Sequence, residues 1–262
     1  MTAKSNQQPS AAPVQPAQSG FSLISNDKLL QLYSTMLKCR SLAERSPIPL
    51  KPGKLTGRHS SILGREAAAV GVAIDLLPED TIAPANRDRA LLNAINPSVT
   101  LAAGLHHATR AAQANKDNKN NKIAVVLSTG NSASLPSWQK ALNLAAAHNL
   151  PTLFISLHPL KPQPPALEWP TRFEDIPLKT KDYAFPAITV DGNDAVAVYR
   201  VASEAIAHAR KGHGPTLIVC RRWKTGDPLL NMEKYLIRKG LFTEDCKRQV
   251  AALSPGLHAA QE

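Results

Sequence analysis

Ser128, Thr129, Asn131, Ser132 and Ser134 form a polar run where a buried-type apolar stretch, Ile123 to Leu127, gives way to a helical pattern. Backbone N–H groups at a strand-to-helix turn of this kind can receive a phosphate. Capping of the helix by the same side chains explains these residues too, and is the commoner use. Arg87, Arg89, Arg221, Arg222 and Lys224 bring positive charge to other predicted loops, so a metal-free anion site can be written for this chain. Arg87 also reads as the ion-pair partner of a nearby carboxylate. His106 and His107 are adjacent on a predicted helix and cannot face one metal together, while His148, His208 and His258 stand without a ligand at metal-binding spacing. Cys39, Cys220 and Cys246 are far apart, with the first and last in helical patterns and Cys220 at a strand end. No metal set, Ser/His/Asp or Cys/His arrangement is nominated, and the thiols are expected to be inert.

These residues need elements to place them. Ser25 and Asn26 can cap a helix running to about Arg45 with Leu29, Leu32, Tyr33 and Met36 on its apolar face. Pro47 and Pro49 end it, and a basic Gly-containing loop leads to a small-residue helix, Gly64 to Val72, whose Ala67 to Ala73 surface suits close pairing, including with another subunit. A helix is expected from Pro97 and Ser98 to about Ala114, then the strand Ile123–Leu127, a helix from Ser134 to His148, and the strand Thr152–Ser156. After a proline-rich loop come the strand Ala187–Val190, a helix from Asp194 to Lys211 stopped by Gly212, and the strand Pro215–Val219. Near-continuous apolar strands alternating with helices predict an α/β fold, a parallel sheet with helices on both faces. Ligands in such sheets lie beyond the carboxyl ends of the strands, here residues 128–133, 157–161, 191–194 and 220–226.

At 262 residues, with 43% hydrophobic and 19% charged residues, the chain can bury a large core. No apolar run approaches the roughly 18 residues of a membrane span. Residues 1–20, rich in Gln, Pro, Ser and Ala without an aliphatic cluster, are expected to be a disordered arm, and 21–262 one domain. Three unpaired-looking cysteines fit a reducing cytoplasm. A net charge of +11 favours acidic or phosphorylated partners. Nucleic acid is disfavoured among them, because aromatics are only 5% and no nucleic-acid module motif is visible.

The stretch Val190-Asp191-Gly192-Asn193-Asp194 through Glu204-Ala205 and Ala209-Arg210 to Gly212-His213-Gly214-Pro215-Thr216-Leu217-Ile218 closely resembles the alpha subunit of the thiamine-diphosphate-dependent component of 2-oxo-acid dehydrogenase complexes. Gly64-Arg65-Glu66-Ala67 is similar to that family's Gly-Gln-Glu-Ala motif, and Asn86-Arg87-Asp88 to its Tyr-Arg-Asp. Leu101-Ala102-Ala103-Gly104, Leu150-Pro151 and the tail Lys239-Gly240-Leu241-Phe242-Thr243-Glu244 follow in the family's order. The resemblance implies a thiamine-diphosphate-binding fold, thiamine diphosphate and magnesium as cofactors, and a beta-type subunit or self-association. Arg87 would then match the diphosphate arginine, and Gly130, Asn131 and Ser132 would lie in the cofactor turn. In heteromeric members the beta subunit contributes the glutamate that activates the thiazolium.

The departures fall on the chemistry. Where the family places a Gly-Asp-Gly turn and a later Asn-Asn to hold the metal, this chain has Ser128-Thr129-Gly130-Asn131 and Leu157-His158-Pro159. No Asp or Glu occurs between Asp117 and Glu168. Magnesium prefers hard oxygen ligands including a carboxylate, so metal-dependent diphosphate binding by this chain is not expected. The family's long segment after the arginine is shortened here to Asp88–Thr100, and its Gly-His-Ser loop is replaced by Arg221-Arg222-Trp223-Lys224. The sequence thus reads as a non-catalytic structural or regulatory alpha-type subunit. The alternatives are a working subunit whose site a beta subunit completes, and a basic polyanion-binding protein.

Overall fold

The computed structural model describes residues 24–45, 64–84, 89–129, 135–157, 185–221, 226–244 and 248. Residues 1–20, the basic loop at 51–59, the proline-rich segment within 158–184 and Cys246 lie outside them. The elements in chain order are α1 (Asn26–Arg45), α2 (Glu66–Ala73), β1 (Thr81–Ala83), α3 (Arg89–Ile95), β2 (Thr100–Leu101), α4 (Leu105–Asp117) and β3 (Ala124–Thr129). They continue with α5 (Leu135–Ala147), β4 (Thr152–Leu157), β5 (Ala187–Asp191), α6 (Ala195–Arg210), β6 (Thr216–Arg221) and α7 (Pro228–Arg238).

Alternation along the strands builds two cores. Val125, Leu127, Leu153, Ile155 and Ile218 point to one face, where α1, α2, α3, α6 and α7 cover them. Ala124, Val126, Phe154, Leu217 and Val219 point to the other, where α4 and α5 bring Ala108, Ala112, Trp138 and Leu142. Side chains of period two facing apolar layers on both sides explain why these strands are apolar throughout. The six strands run β2-β1-β3-β4-β6-β5, all pairs parallel, so the expected α/β sheet with helices on both faces is present. Among the described residues no helix is long and apolar enough to cross a membrane.

The helix ends follow local chemistry. The Ser25 hydroxyl accepts from the Lys28 N–H at 3.3 Å and caps α1. Asp194 accepts from the N–H groups of Val196 and Ala197 at 3.0 Å to open α6, and Asp227 accepts from Leu229 and Leu230 to open α7.

Two expectations are corrected. The segment at Pro97 does not start a helix: Thr100 and Leu101 pair with Thr81 and Ile82, and α4 begins only after Gly104, whose φ is +149°. The cause is tertiary. Asn96, buried, donates from Nδ2 to the carbonyls of Ala73 and Leu76 and accepts from the Ser98 N–H and hydroxyl, holding the turn that carries the chain into β2. The small-residue helix α2 is not a surface for another subunit either, since all eight of its residues are buried inside this chain. It lies against α6 so closely that a Cβ on Gly71 would stand 2.9 Å from Val198 Cγ1 and 3.1 Å from the Tyr199 backbone N.

Candidate functional site

The sheet order marks one crevice. From β1 the chain moves outward to β2, whereas from β3 it moves the other way to β4, so the connections diverge between β1 and β3. Ligands in open parallel sheets sit outside the carboxyl ends of strands at such a divergence. Ala83 stands opposite Val126 in register, and β3 continues to Thr129, so both strands reach the same edge as neighbours. Residues 85–88 follow the first of these ends and 130–134 the second. Arg87 therefore follows one strand of the pair, and Gly130, Asn131 and Ser132 the other; all four residues lie outside the described set. The structure thus brings together the two strands that lead to the nominated residues.

The described rim of this edge is poor in carboxylates free to serve a ligand. Ser128 and Ser156, opposite each other in β3 and β4, are buried and uncharged. At the far side, Asp191 ends β5 opposite Arg221 of β6, and its Oδ1 accepts the Asn193 N–H at 2.9 Å. The Gly192 N–H donates to the Arg221 carbonyl at 2.7 Å, where a Cβ would stand 3.1 Å from Cys220 Cβ. Asp194 is engaged in capping α6. The Asp191–Asp194 turn thus forms a tight strand-to-helix link. It borders a cavity of about 540 Å³ shared with α7, whose lining mixes Asp191 and Asp194 with Lys234 and Arg238.

One strong charge network was not singled out from sequence. Arg40 of α1 donates from Nε to Glu66 Oε1 at 2.6 Å, from Nη2 to Glu66 Oε2 at 3.1 Å, and from Nη1 to Asp227 Oδ2 at 2.9 Å. Glu66, wholly buried in α2, also accepts the Gly64 N–H at 3.0 Å. The arrangement joins α1, α2 and the start of α7, so the Glu of the family-like Gly64-Arg65-Glu66-Ala67 motif is held by a bidentate guanidinium. Burial works against the Arg40 charge, but its hydrogen bonds to Glu66 and Asp227 prevail and raise its pKa. Burial likewise pushes the Asp227 carboxyl up, while the Arg40 hydrogen bond and charge and the capping N–H groups hold it below the usual carboxylate range. The visible signal was Glu66 itself, a lone carboxylate opening an otherwise apolar helix, which must find a cation when buried.

The other nominated groups are dispersed. Arg89 is exposed at the start of α3 and donates to the Leu101 carbonyl at 3.4 Å. His106, His107 and His148 are exposed, and His208 meets the ring of His213 at 5.0 Å. Arg222, Lys224, His158 and His258 lie outside the described residues. Cys39 and Cys220 are buried thiols whose pKa is pushed up to about 12, first by burial and then by Glu66 and Asp191 respectively, so both stay protonated and unreactive at neutral pH. Among the described residues no group of three or more His, Cys, Asp or Glu can hold a metal ion.

Residues 169–224 match the family model described as "Dehydrogenase E1 component". The chain is 27% identical to the pyruvate dehydrogenase E1 component subunit alpha of Staphylococcus aureus strain Mu50, over 87% of this chain and 75% of that one. It is 25% identical to the subunit of the same name from Staphylococcus epidermidis strain ATCC 12228, with the same coverage. Among solved structures, a thiamin diphosphate-dependent enzyme from Mycobacterium smegmatis is similar with a TM-score of 0.45 and 18% identity, covering 65% of this chain and 35% of that one. Benzoylformate decarboxylase from Polynucleobacter necessarius is similar with a TM-score of 0.46 and 14% identity, covering 68% and 35%. The chain thus spans about a third of the length of those solved structures. In sequence it is E1-alpha-like, and its parallel α/β sheet agrees with the thiamine-diphosphate-binding fold expected for such a chain.

Proposed function

We propose that this E1-alpha-like chain is the alpha-type partner in a 2-oxo-acid dehydrogenase assembly, retaining fold and assembly surfaces without a metal-held diphosphate site of its own. One observation carries the reading. The ends of β3 and β4, neighbours in the sheet, lead into segments with no Asp or Glu anywhere between Asp117 and Glu168. The carboxylates described elsewhere near this edge are engaged: Glu66 and Asp227 by Arg40, Asp191 by the Asn193 N–H, and Asp194 by α6. Thr, Asn and carbonyl oxygens alone make a weak magnesium site, so the residues that follow β3 and β4 do not by themselves fit that ion. Likeness to pyruvate dehydrogenase E1 alpha subunits over 87% of the chain supports a beta-type subunit as the partner. One domain over residues 21–262 and a cytoplasmic setting belong to the same reading.

The same likeness supports a second reading, in which a partner chain contributes the missing carboxylate and the assembled site binds thiamine diphosphate. Calorimetric titration of thiamine diphosphate with magnesium, into the chain alone and then into its mixture with a beta-type subunit, separates the two. The first reading expects a stable complex and no magnesium-dependent binding. Micromolar, magnesium-dependent binding that arises only in the mixture would establish the second.

A further inference from the structure

The opposite edge of the sheet carries a groove that neither reading uses. It has a volume of about 240 Å³ and is lined by the segments entering β3, β4 and β6, including Lys116, Lys119, Lys122, Arg210 and Lys211, with no acidic residue in the lining. Strands of six residues at about 3.3 Å each put it roughly 20 Å from the carboxyl edge.

Most local charge there is matched. Glu79 pairs with Lys122, and buried Asp80 with Arg210. Lys116 donates to the His148 carbonyl, and Arg210 Nη1 to the Asn121 carbonyl at 2.6 Å. The ends of α4, α5 and α6 all meet here, each bringing roughly half a negative charge. The five lining cations are largely offset in sum by Glu79, Asp80, the exposed Asp117 at the end of α4 and the three helix ends. The unmatched charge is local: the ammonium groups of Lys119 and Lys211 are exposed and have no hydrogen-bond or ion-pair partner among the described residues, their backbone N–H groups alone being bonded. Asn121 and Asn149 add amide donors beside them.

We propose that this groove is an anion site for a phosphoryl or diphosphate group, bound by Lys119 and Lys211 across the ends of α4 and α6. The choice of anion follows from the free donors. A planar carboxylate is matched best by a guanidinium fork, and the fork of Arg210 is already held by Asp80 and Asn121. What remains is a pair of ammonium point charges with amide N–H groups, which suits a tetrahedral, multiply charged oxyanion. The volume lies below the roughly 300 Å³ of ordinary small-molecule pockets, so it takes the phosphorylated end of a small molecule.

The test is calorimetric titration of inorganic pyrophosphate into the full chain at 0.15 M salt, roughly physiological strength. Binding is expected to weaken at least tenfold in Lys119→Gln/Lys211→Gln and to persist in Lys119→Arg/Lys211→Arg and in Arg87→Ala. Equal binding by the glutamine variant, or loss of binding in Arg87→Ala, would overturn the proposal, the latter placing the anion at the carboxyl edge. Absence of binding to the unaltered chain would overturn it as well, as would an oligoglutamate peptide that binds more tightly than pyrophosphate. The magnesium-dependent part of thiamine diphosphate binding, alone or with a beta-type subunit, is expected to be the same for the glutamine variant and the unaltered chain, whereas any magnesium-independent part weakens with pyrophosphate binding, so the two readings fail independently.

Discussion

Arg40 is the residue on which most long-range order at the helical face converges, because it neutralises a wholly buried Glu66 while reaching Asp227 at the start of α7. Replacing one member of a buried pair strands the other charge, at a cost of about 3–5 kcal/mol. Arg40→Met is expected to lower the unfolding free energy by that amount in urea denaturation, and adding Glu66→Met should recover most of it. A loss under about 1 kcal/mol would mean that water reaches Glu66. Asp227 makes the network acid-sensitive. Its folded pKa is lowered, so its contribution is complete above the ordinary carboxylate value of about 3.9 and is lost as pH falls through the lower folded value. Asp227→Asn is expected to flatten the fall in urea midpoint between about pH 4 and pH 2, and an unchanged slope would remove Asp227 from the account.

At the scale of elements, the contact between α2 and α6 decides how closely the first helical layer sits on the sheet. Small residues along α2 permit the approach, and Gly71 faces both a Val198 side chain and Tyr199 backbone. Gly71→Ala is expected to destabilise by about 1–3 kcal/mol through overpacking, outweighing the gain in helix propensity. An equal or raised melting temperature would show that α6 shifts to accept the methyl. The same layer shows why α2 misleads when read alone. An alanine-rich helix is equally suited to pairing across subunits or within a chain, and only the position of α6 decided between them.

For the whole molecule, the two sheet edges have different chemistry. At the amino edge Asp80 accepts from the Leu77 N–H at 2.7 Å, the Ile123 N–H at 3.0 Å and the Arg210 guanidinium, tying β1, β3 and α6 into one unit. Asp80→Ala is expected to cost about 3 kcal/mol or more, leaving two N–H groups and a guanidinium without their acceptor. Loss of a single cooperative transition in chemical denaturation would place the damage there, and a shift under about 1 kcal/mol would contradict this role. The carboxyl edge holds the crevice between β1 and β3 and the strand ends that lead to Arg87 and to Gly130, Asn131 and Ser132. The segments that follow β3 and β4 at this edge carry no Asp or Glu before Glu168, unlike the ligand set that magnesium prefers.

The sequence by itself determined the parallel α/β class, the four long strands, α1 with its Ser25 cap and α6 with its stop at Gly212, because these rest on local periodicity and on groups that act within a few residues. The absence of Asp and Glu between Asp117 and Glu168 was equally legible, since it is a count. Only the tertiary structure decided the strand order, the placement of β1 and β2, and the conversion of the Pro97 region from expected helix to strand. Strands of two and three residues have no period of their own and exist because Asp80, Ile82 and Asn96 supply the partners. The same holds for Arg40, which resembles any exposed helical arginine until α2 places a buried carboxylate against it.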